Sequence, residues 1–200
     1  GVVYNMKICI WITKIFDLGG TKRVVSLLAN ELVKEHEVTI MTYEDRFRED
    51  RTMYHLSEDI NVDFIDNSQF VNKHHTPAFC ARYLVKKLND RSGLFNKKSL
   101  NPILAEAIFP KKTREKWVEY FNSQDYDVIL TTASLSLRLA MIAPRLKAAT
   151  IGWQHNCYDG YLHVKPVVFW QQENLLQQYL PNLDRYIVLS DYDKRDYMEK

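Results

Sequence analysis

MKICIWITKIFDLGGTKRVVSLLANELVKEHEVTIMT, residues 6–42, is the stretch whose reading decides the fold. Its first eight residues, Met6 to Thr13, form a short apolar run rich in β-branched side chains, the pattern of a strand buried on both faces of a parallel sheet. Ile15 to Gly20 then reads as a loop. Beyond it Val25, Leu28, Ala29 and Leu32 recur at helical spacing, which predicts a helix opening at Gly19-Gly20 and running to about Lys34. Val38 to Thr42 is a second strand, and strand-helix-strand is the unit from which parallel sheets are built.

Outward from there the alternation continues. Ile60 to Ile65 reads as a third strand, Asp127 to Thr132 as a fourth, Thr150 to Gln154 as a fifth and Arg185 to Leu189 as a sixth. A helix is expected from Leu135 to Ile142, stopping before Pro144, another within Val167 to Leu180 before Pro181, and a last one capped by Ser190-Asp191. Parallel strands need right-handed helical crossovers to share a sheet, so the pattern predicts an α/β, Rossmann-like, doubly wound domain with strand order 3-2-1-4-5-6. The whole of 1–200 is read as one such domain, carrying a basic helical insertion at about 72–122 that is broken at Ser92-Gly93 and at Asn101-Pro102.

Composition agrees with a folded chain. Of 200 residues 46% are hydrophobic and 12% aromatic, enough for one substantial core. No apolar run approaches the roughly 18 residues that span a bilayer, and Gly1 to Asn5 lacks the features of a signal peptide, so a cytoplasmic location is expected. Cys9, Cys80 and Cys157 are odd in number and lack metal-site spacing, which argues against both a disulfide framework and a zinc site. The net charge of +2 hides an uneven distribution: Arg82 to Lys116 holds ten Lys or Arg against three acidic residues, a local +7 that leaves −5 elsewhere. With Leu84, Leu88, Leu94 and Phe109 interleaved, this block suits an anionic membrane surface or a phosphorylated substrate. A solvated pair of helices is the alternative, and a nucleic-acid partner is not expected.

In a doubly wound sheet, ligands bind outside the carboxyl ends of the strands. Gly19 and Gly20 follow the first strand and open the first helix, where unpaired N–H groups and the helix dipole favour a phosphate, with Lys14, Lys22 and Arg23 adding positive field. A tight turn alone would also explain the glycines. A dinucleotide site would need Gly-x-Gly-x-x-Gly; Glu44 and Asp45 stand where a ribose-binding acid would, but Val24 and Val25 replace the last glycine, so a dehydrogenase ranks well behind. After the fifth strand come Trp153, Gln154, His155 and Asn156, with Asp159 just beyond. His155 can handle a proton near neutral pH, Trp153 offers a flat surface to a sugar ring, and Gln154, Asn156 and Asp159 can bond sugar or acceptor hydroxyls. His74-His75 reads as surface. Asp125-Tyr126-Asp127 lies at the amino edge of the fourth strand and Asp191-Tyr192-Asp193 at a helix start, so neither is expected to hold a metal.

Taken together, residues 6–42, IGWQHN at Ile151–Asn156 and LDRYIVLSDYDKRDY at Leu183–Tyr197 resemble the N-terminal domain of glycosyltransferase family 4-like enzymes of the GT-B fold. The match includes the Gly-Gly loop, the Arg-Val helix and the His36-Glu37-Val38-Thr39 segment. It departs at Thr21-Lys22, where relatives often have Ala-Glu. The resemblance implies two facing Rossmann-like domains, of which this chain is the acceptor-side one and the C-terminal donor-binding domain lies outside it. It implies transfer of a sugar from a nucleotide-sugar donor, with anomeric retention and without a metal or other cofactor, while the charge of the basic block suggests a saccharide, polymer or lipid-linked acceptor of the cell envelope. It assigns donor diphosphate contact to Gly19 and Gly20 and a contact near the reacting carbon to His155. A non-hydrolysing sugar-nucleotide epimerase and a non-catalytic sugar-binding domain are the alternatives. Peripheral association with the inner membrane face is expected from the basic block.

Overall fold

The computed structural model describes residues 5–71, 76–165 and 168–199. Six parallel strands form one sheet: β1 (Lys7–Ile12), β2 (Glu37–Thr42), β3 (Asn61–Phe64), β4 (Val128–Thr132), β5 (Ala149–Trp153) and β6 (Arg185–Ile187), in the order β3-β2-β1-β4-β5-β6. This is the expected order. Around it lie α1 (Gly20–Leu32), α2 (Pro77–Ser92), α3 (Asn101–Ile108), α4 (Lys111–Ser123), α5 (Leu135–Ile142), α6 (Tyr158–Leu162), α7 (Glu173–Tyr179) and α8 (Asp191–Glu199).

Strand alternation divides the core in two. Ile8, Ile10 and Ile12 of β1 face one side with Val38, Ile40 and Leu130, and are covered by Val25 and Ala29 of α1. Cys9 and Trp11 face the other, with Met41 and Ile129, and are covered by α3, α4, α5 and α7. Because β1 is central and fully covered, it reads as a continuous apolar run rather than an alternating one. The register pairs Ile10 with Ile40 on one side and with Leu130 on the other.

The basic stretch is anchored by aromatic packing. Trp117 of α4 lies 4.7 Å from the Trp11 ring and stacks on Phe70 at 3.7 Å, and Phe121 meets Trp11 edge-on at 5.2 Å. Truncating such a buried ring to Ala costs about 3–5 kcal/mol, so α4 is held to the sheet firmly. Gly93 ends α2 at φ 66°, a left-handed cap suited to glycine, and Pro102 occupies the first turn of α3. By contrast α2 buries little: Tyr83, Leu84 and Leu88 are exposed beside its lysines. Among the described residues no helix is long and apolar enough to cross a membrane.

Two elements differ from expectation. The helix expected within Val167 to Leu180 is confined to Glu173–Tyr179, and the turn Tyr158–Leu162 just after the Gln154–Asn156 loop is helical as well. Its short span and low periodicity left α6 without a sequence signature.

Candidate functional site

At the carboxyl edge of the sheet, the loop after β1 is shaped by a carboxylate from just past the end of β2. Glu44 is buried, and its Oε2 accepts the N–H groups of Ile15 (2.6 Å) and Phe16 (3.1 Å) and the Thr42 hydroxyl (3.3 Å). The acidic residue that a dinucleotide site would turn toward a ribose is thus spent on the loop backbone. Gly19 follows in extended conformation, and its N–H donates to the Tyr54 hydroxyl at 2.9 Å. That N–H is occupied. Helix α1 begins at Gly20 with no side-chain cap and no acidic residue in its first turn, so the N–H groups of its opening residues have no intrahelical acceptor. Gly20 is exposed, and a Cβ there would meet nothing within 4 Å.

The charges around this helix start are partly committed. Asp17 sits between Lys14 (3.9 Å) and Lys22, whose ammonium contacts Asp17 Oδ1 and folds back over Gly19. Arg23 is exposed and has no carboxylate partner among the described residues. Of the predicted anion-binding group, Gly20 and Arg23 are open, Gly19 and Lys14 engaged.

After β5, two strand positions away from β1 and so about 10 Å across the sheet, the chain turns sharply. Gln154 has no exposed surface; its N–H extends the ladder to the Ile187 carbonyl (2.9 Å) and its side-chain amide donates to the Asn156 carbonyl. Gln154 therefore holds the turn. His155 is half-buried, its N–H donates to the Tyr161 hydroxyl at 3.2 Å, and its ring lies 4.4 Å from that of Trp153. Burial pulls the imidazole pKa below its ordinary 6.5, so the ring is neutral at pH 7. Its Nε2 is buried and has no hydrogen-bond partner among the described residues. At that unpartnered Nε2 a neutral imidazole can accept from or donate to a hydroxyl or carbonyl, according to tautomer.

The flanking residues separate by role. Asn156 is exposed, its Oδ1 accepting the Cys157 N–H at 2.9 Å, while Asp159 pairs with His163 at 2.7 Å on the exposed side of α6. Asp127 Oδ2 accepts the Lys7 N–H at the opposite, amino edge of the sheet, and Ser190 Oγ caps α8 by accepting the Asp193 N–H. Asp193 is buried and accepts the Tyr158 N–H at 3.0 Å. One carboxylate of each Asp-x-Asp pair, Asp127 and Asp193, thus accepts a backbone N–H. Among the described residues no group of three or more His, Cys, Asp or Glu is arranged to hold a metal ion. His74-His75 lies outside the described residues.

Two contributors escaped the sequence reading, Tyr54, which arrives from a loop, and Tyr161, from the unexpected α6; Arg138, which lies beside the same edge without touching either group, escaped it too. The last had a signal. It is the single charge in LSLRLAMI, a helix whose other seven residues are all buried.

The Glycosyltransferase Family 4 profile matches residues 18–200. Among solved structures the chain is similar to Phytolacca americana UGT2 complexed with UDP-2fluoro-glucose and pterostilbene, at 11% identity and a TM-score of 0.35, over 76% of this chain and 31% of that one. It is also similar to Pen from Bacillus thuringiensis, at 10% identity and a TM-score of 0.37, over 87% of this chain and 56% of that one. The chain therefore spans less than two thirds of either structure. No curated protein matches it.

Proposed function

Starting from the fact that this chain belongs to glycosyltransferase family 4, we propose that it is the acceptor-side domain of a two-domain enzyme that transfers a sugar from a nucleotide-sugar donor. One observation carries the reading: the uncapped start of α1 and the unpartnered Nε2 of His155 share one edge of the sheet. Departure of a nucleoside diphosphate builds negative charge. The free N–H groups that open α1 and its dipole favour that charge, with Arg23 alongside, while Glu44 and Tyr54 keep the loop in place before any ligand arrives. Positioning of this kind is pre-organised, so no reorganisation accompanies the reaction.

His155 faces the sugar in this reading. A buried polar atom left unpaired costs roughly 1–3 kcal/mol, and a sugar hydroxyl placed at Nε2 removes that cost. Being neutral, the ring gives or takes one hydrogen bond without repelling an oxocarbenium-like centre. Trp153, packed on His155, fixes the ring plane, Gln154 holds the turn, and Asn156 and Asp159 stand on the exposed side toward the acceptor. The acceptor belongs to the cell envelope, retention of the anomer follows the family's mode, and the diphosphate is held without a divalent metal.

The test is release of nucleoside diphosphate from a panel of sugar nucleotides. The protein carrying the donor-binding domain should turn over, and the present chain alone should not. In the former, His155→Ala should lower turnover by about 10²-fold, the usual loss when one positioned polar group is removed. A fully active His155→Ala enzyme would overturn the assignment of His155, and failure of every sugar nucleotide would overturn the transferase reading.

A further inference from the structure

Arg138 is the feature that the site above leaves unused. It projects from the first turn of α5, just after β4, and burial pulls its pKa below the ordinary guanidinium value. No carboxylate lies within ion-pair distance among the described residues, and its guanidinium lies 5.9 Å from the centre of the Phe109 ring. A half-buried cation without a counter-charge is costly, and fold stability gives no reason to keep it.

Its surroundings give one. Arg138 lines two neighbouring cavities that also share Asn67. The first, about 280 Å³, lies between α2, α3 and α4, where Arg82 and Lys86 join Arg138 against aromatic walls from Phe79, Tyr83 and Phe109; no carboxylate lines it among the described residues. The second opens at the carboxyl edge of β1 and β2, beside Lys14 and Tyr43, and includes Asp45 and Glu44. Glu44 is already satisfied by the loop backbone, and Asp45 Oδ1 accepts the Phe47 N–H at 3.1 Å. The Tyr43 hydroxyl accepts from Trp11 Nε1 at 3.1 Å, which leaves its own proton free to donate. Positive groups and donors therefore run from the helical stretch to the edge where transfer is placed.

We propose that the cavity between α2, α3 and α4 binds a phosphate ester or diphosphate carried by the acceptor, with Arg138 as its central contact and Arg82 and Lys86 beside it. This rests on the transferase reading and supplies its acceptor class. An anionic group seated there pairs the guanidinium in a partly dry site, where charge-assisted hydrogen bonds are strongest. An apolar or ring portion lies along Phe79 and Tyr83. The remainder of the acceptor extends past Arg138 and Asn67 toward Lys14 and the start of α1. The +7 block thereby has a focus rather than a diffuse field.

The experiment titrates inorganic pyrophosphate into this chain, followed by calorimetry and by tryptophan fluorescence, since Trp117 also lines the cavity. Arg138→Met should weaken binding by at least ~10-fold while leaving the melting temperature unchanged or raised, because the unpaired cation is replaced by an apolar side chain of similar length. Lys86→Ala, on the exposed side of α2, should weaken it less and serves where Arg138→Met does not fold. If Arg23→Ala rather than Arg138→Met abolishes binding, the anion belongs to α1 and the proposal fails. Vesicles of phosphatidylcholine with and without phosphatidic acid separate the sources. Arg138-dependent capture of the acidic vesicles assigns a lipid-borne phosphate, binding of pyrophosphate alone assigns a soluble one, and capture unaffected by Arg138→Met and Lys86→Ala overturns the site. The readout is binding, so an Arg138-dependent site without transfer would discard the transferase reading and not this one, and transfer without anion binding would do the reverse.

Discussion

Glu44→Ala should unfold the start of α1 before it affects anything else. Glu44 Oε2 is the acceptor for two backbone N–H groups, Ile15 at 2.6 Å and Phe16 at 3.1 Å, and both of those residues are buried. Hydrogen bonds to a charged group contribute about 1.5–3 kcal/mol each, so losing two costs roughly 3–6 kcal/mol if the loop stays in place. The loop will instead move to hydrate its N–H groups, which caps the loss near the lower figure. For a domain of this size about 3 kcal/mol corresponds to a melting point lowered by roughly 6–12 °C. Glu44→Gln keeps a neutral acceptor at the position of Oε2 and should lose about half as much, since neutral hydrogen bonds are about half as strong. Differential scanning calorimetry gives the stabilities, and amide exchange at Ile15, Phe16 and Gly20 reports the loop. If Glu44→Ala melts within 2 °C of wild type with those amides still protected, the carboxylate does not hold the loop and the account of α1's placement is wrong.

Ala133 adopts φ 51° in the turn between β4 and α5, a left-handed conformation that costs a residue with a Cβ roughly 1–2 kcal/mol, so Ala133→Gly should raise the melting point by about 2–8 °C in calorimetry. The pKa of His155 lies below its unfolded value because of burial, so the unfolded chain binds the extra proton first; stability contributed by the neutral ring is complete above pH 6.5 and falls as pH drops through that value toward the folded pKa. Wild type should accordingly lose more stability than His155→Gln between pH 7.5 and 5.5, the difference being read from urea midpoints at the two values. With the donor-binding domain present, turnover should survive chelation by EDTA, because N–H groups and Arg23 at α1 meet the diphosphate charge; activity lost in chelator and restored by magnesium or manganese would refute that.

The parts of the fold legible in the sequence are those written in contiguous residues. Met6–Thr13 is apolar throughout because β1 is covered on both faces, and the Val25, Leu28, Ala29 and Leu32 stripe follows from a helix lying on one of them. Strand order then follows from crossover handedness, and the carboxyl edge from strand direction. Residues 6–42 thereby determine both the class of fold and the edge at which to look, where Gly20 stands after the first strand and His155 after the fifth. The sequence did not distinguish the Gly19 N–H, which Tyr54 occupies, from the opening of α1, which is free.

What only the tertiary structure decided concerns partners far apart in the chain. Glu44 reads equally well as a ribose ligand or a loop clamp until Ile15 and Phe16, 29 and 28 positions away, are seen to donate to it. Gln154 and Asn156 look like equivalent polar side chains in sequence, yet the first is sealed beneath the turn and the second exposed. Arg138 announces itself as a charge among apolar residues, but whether it finds a carboxylate depends on which elements α5 meets. It meets Phe109 and two cavities instead. Local pattern reports the period of burial, which backbone geometry dictates residue by residue; the worth of a polar group depends on its solvation and on the charges around it, and those are set when distant segments pack.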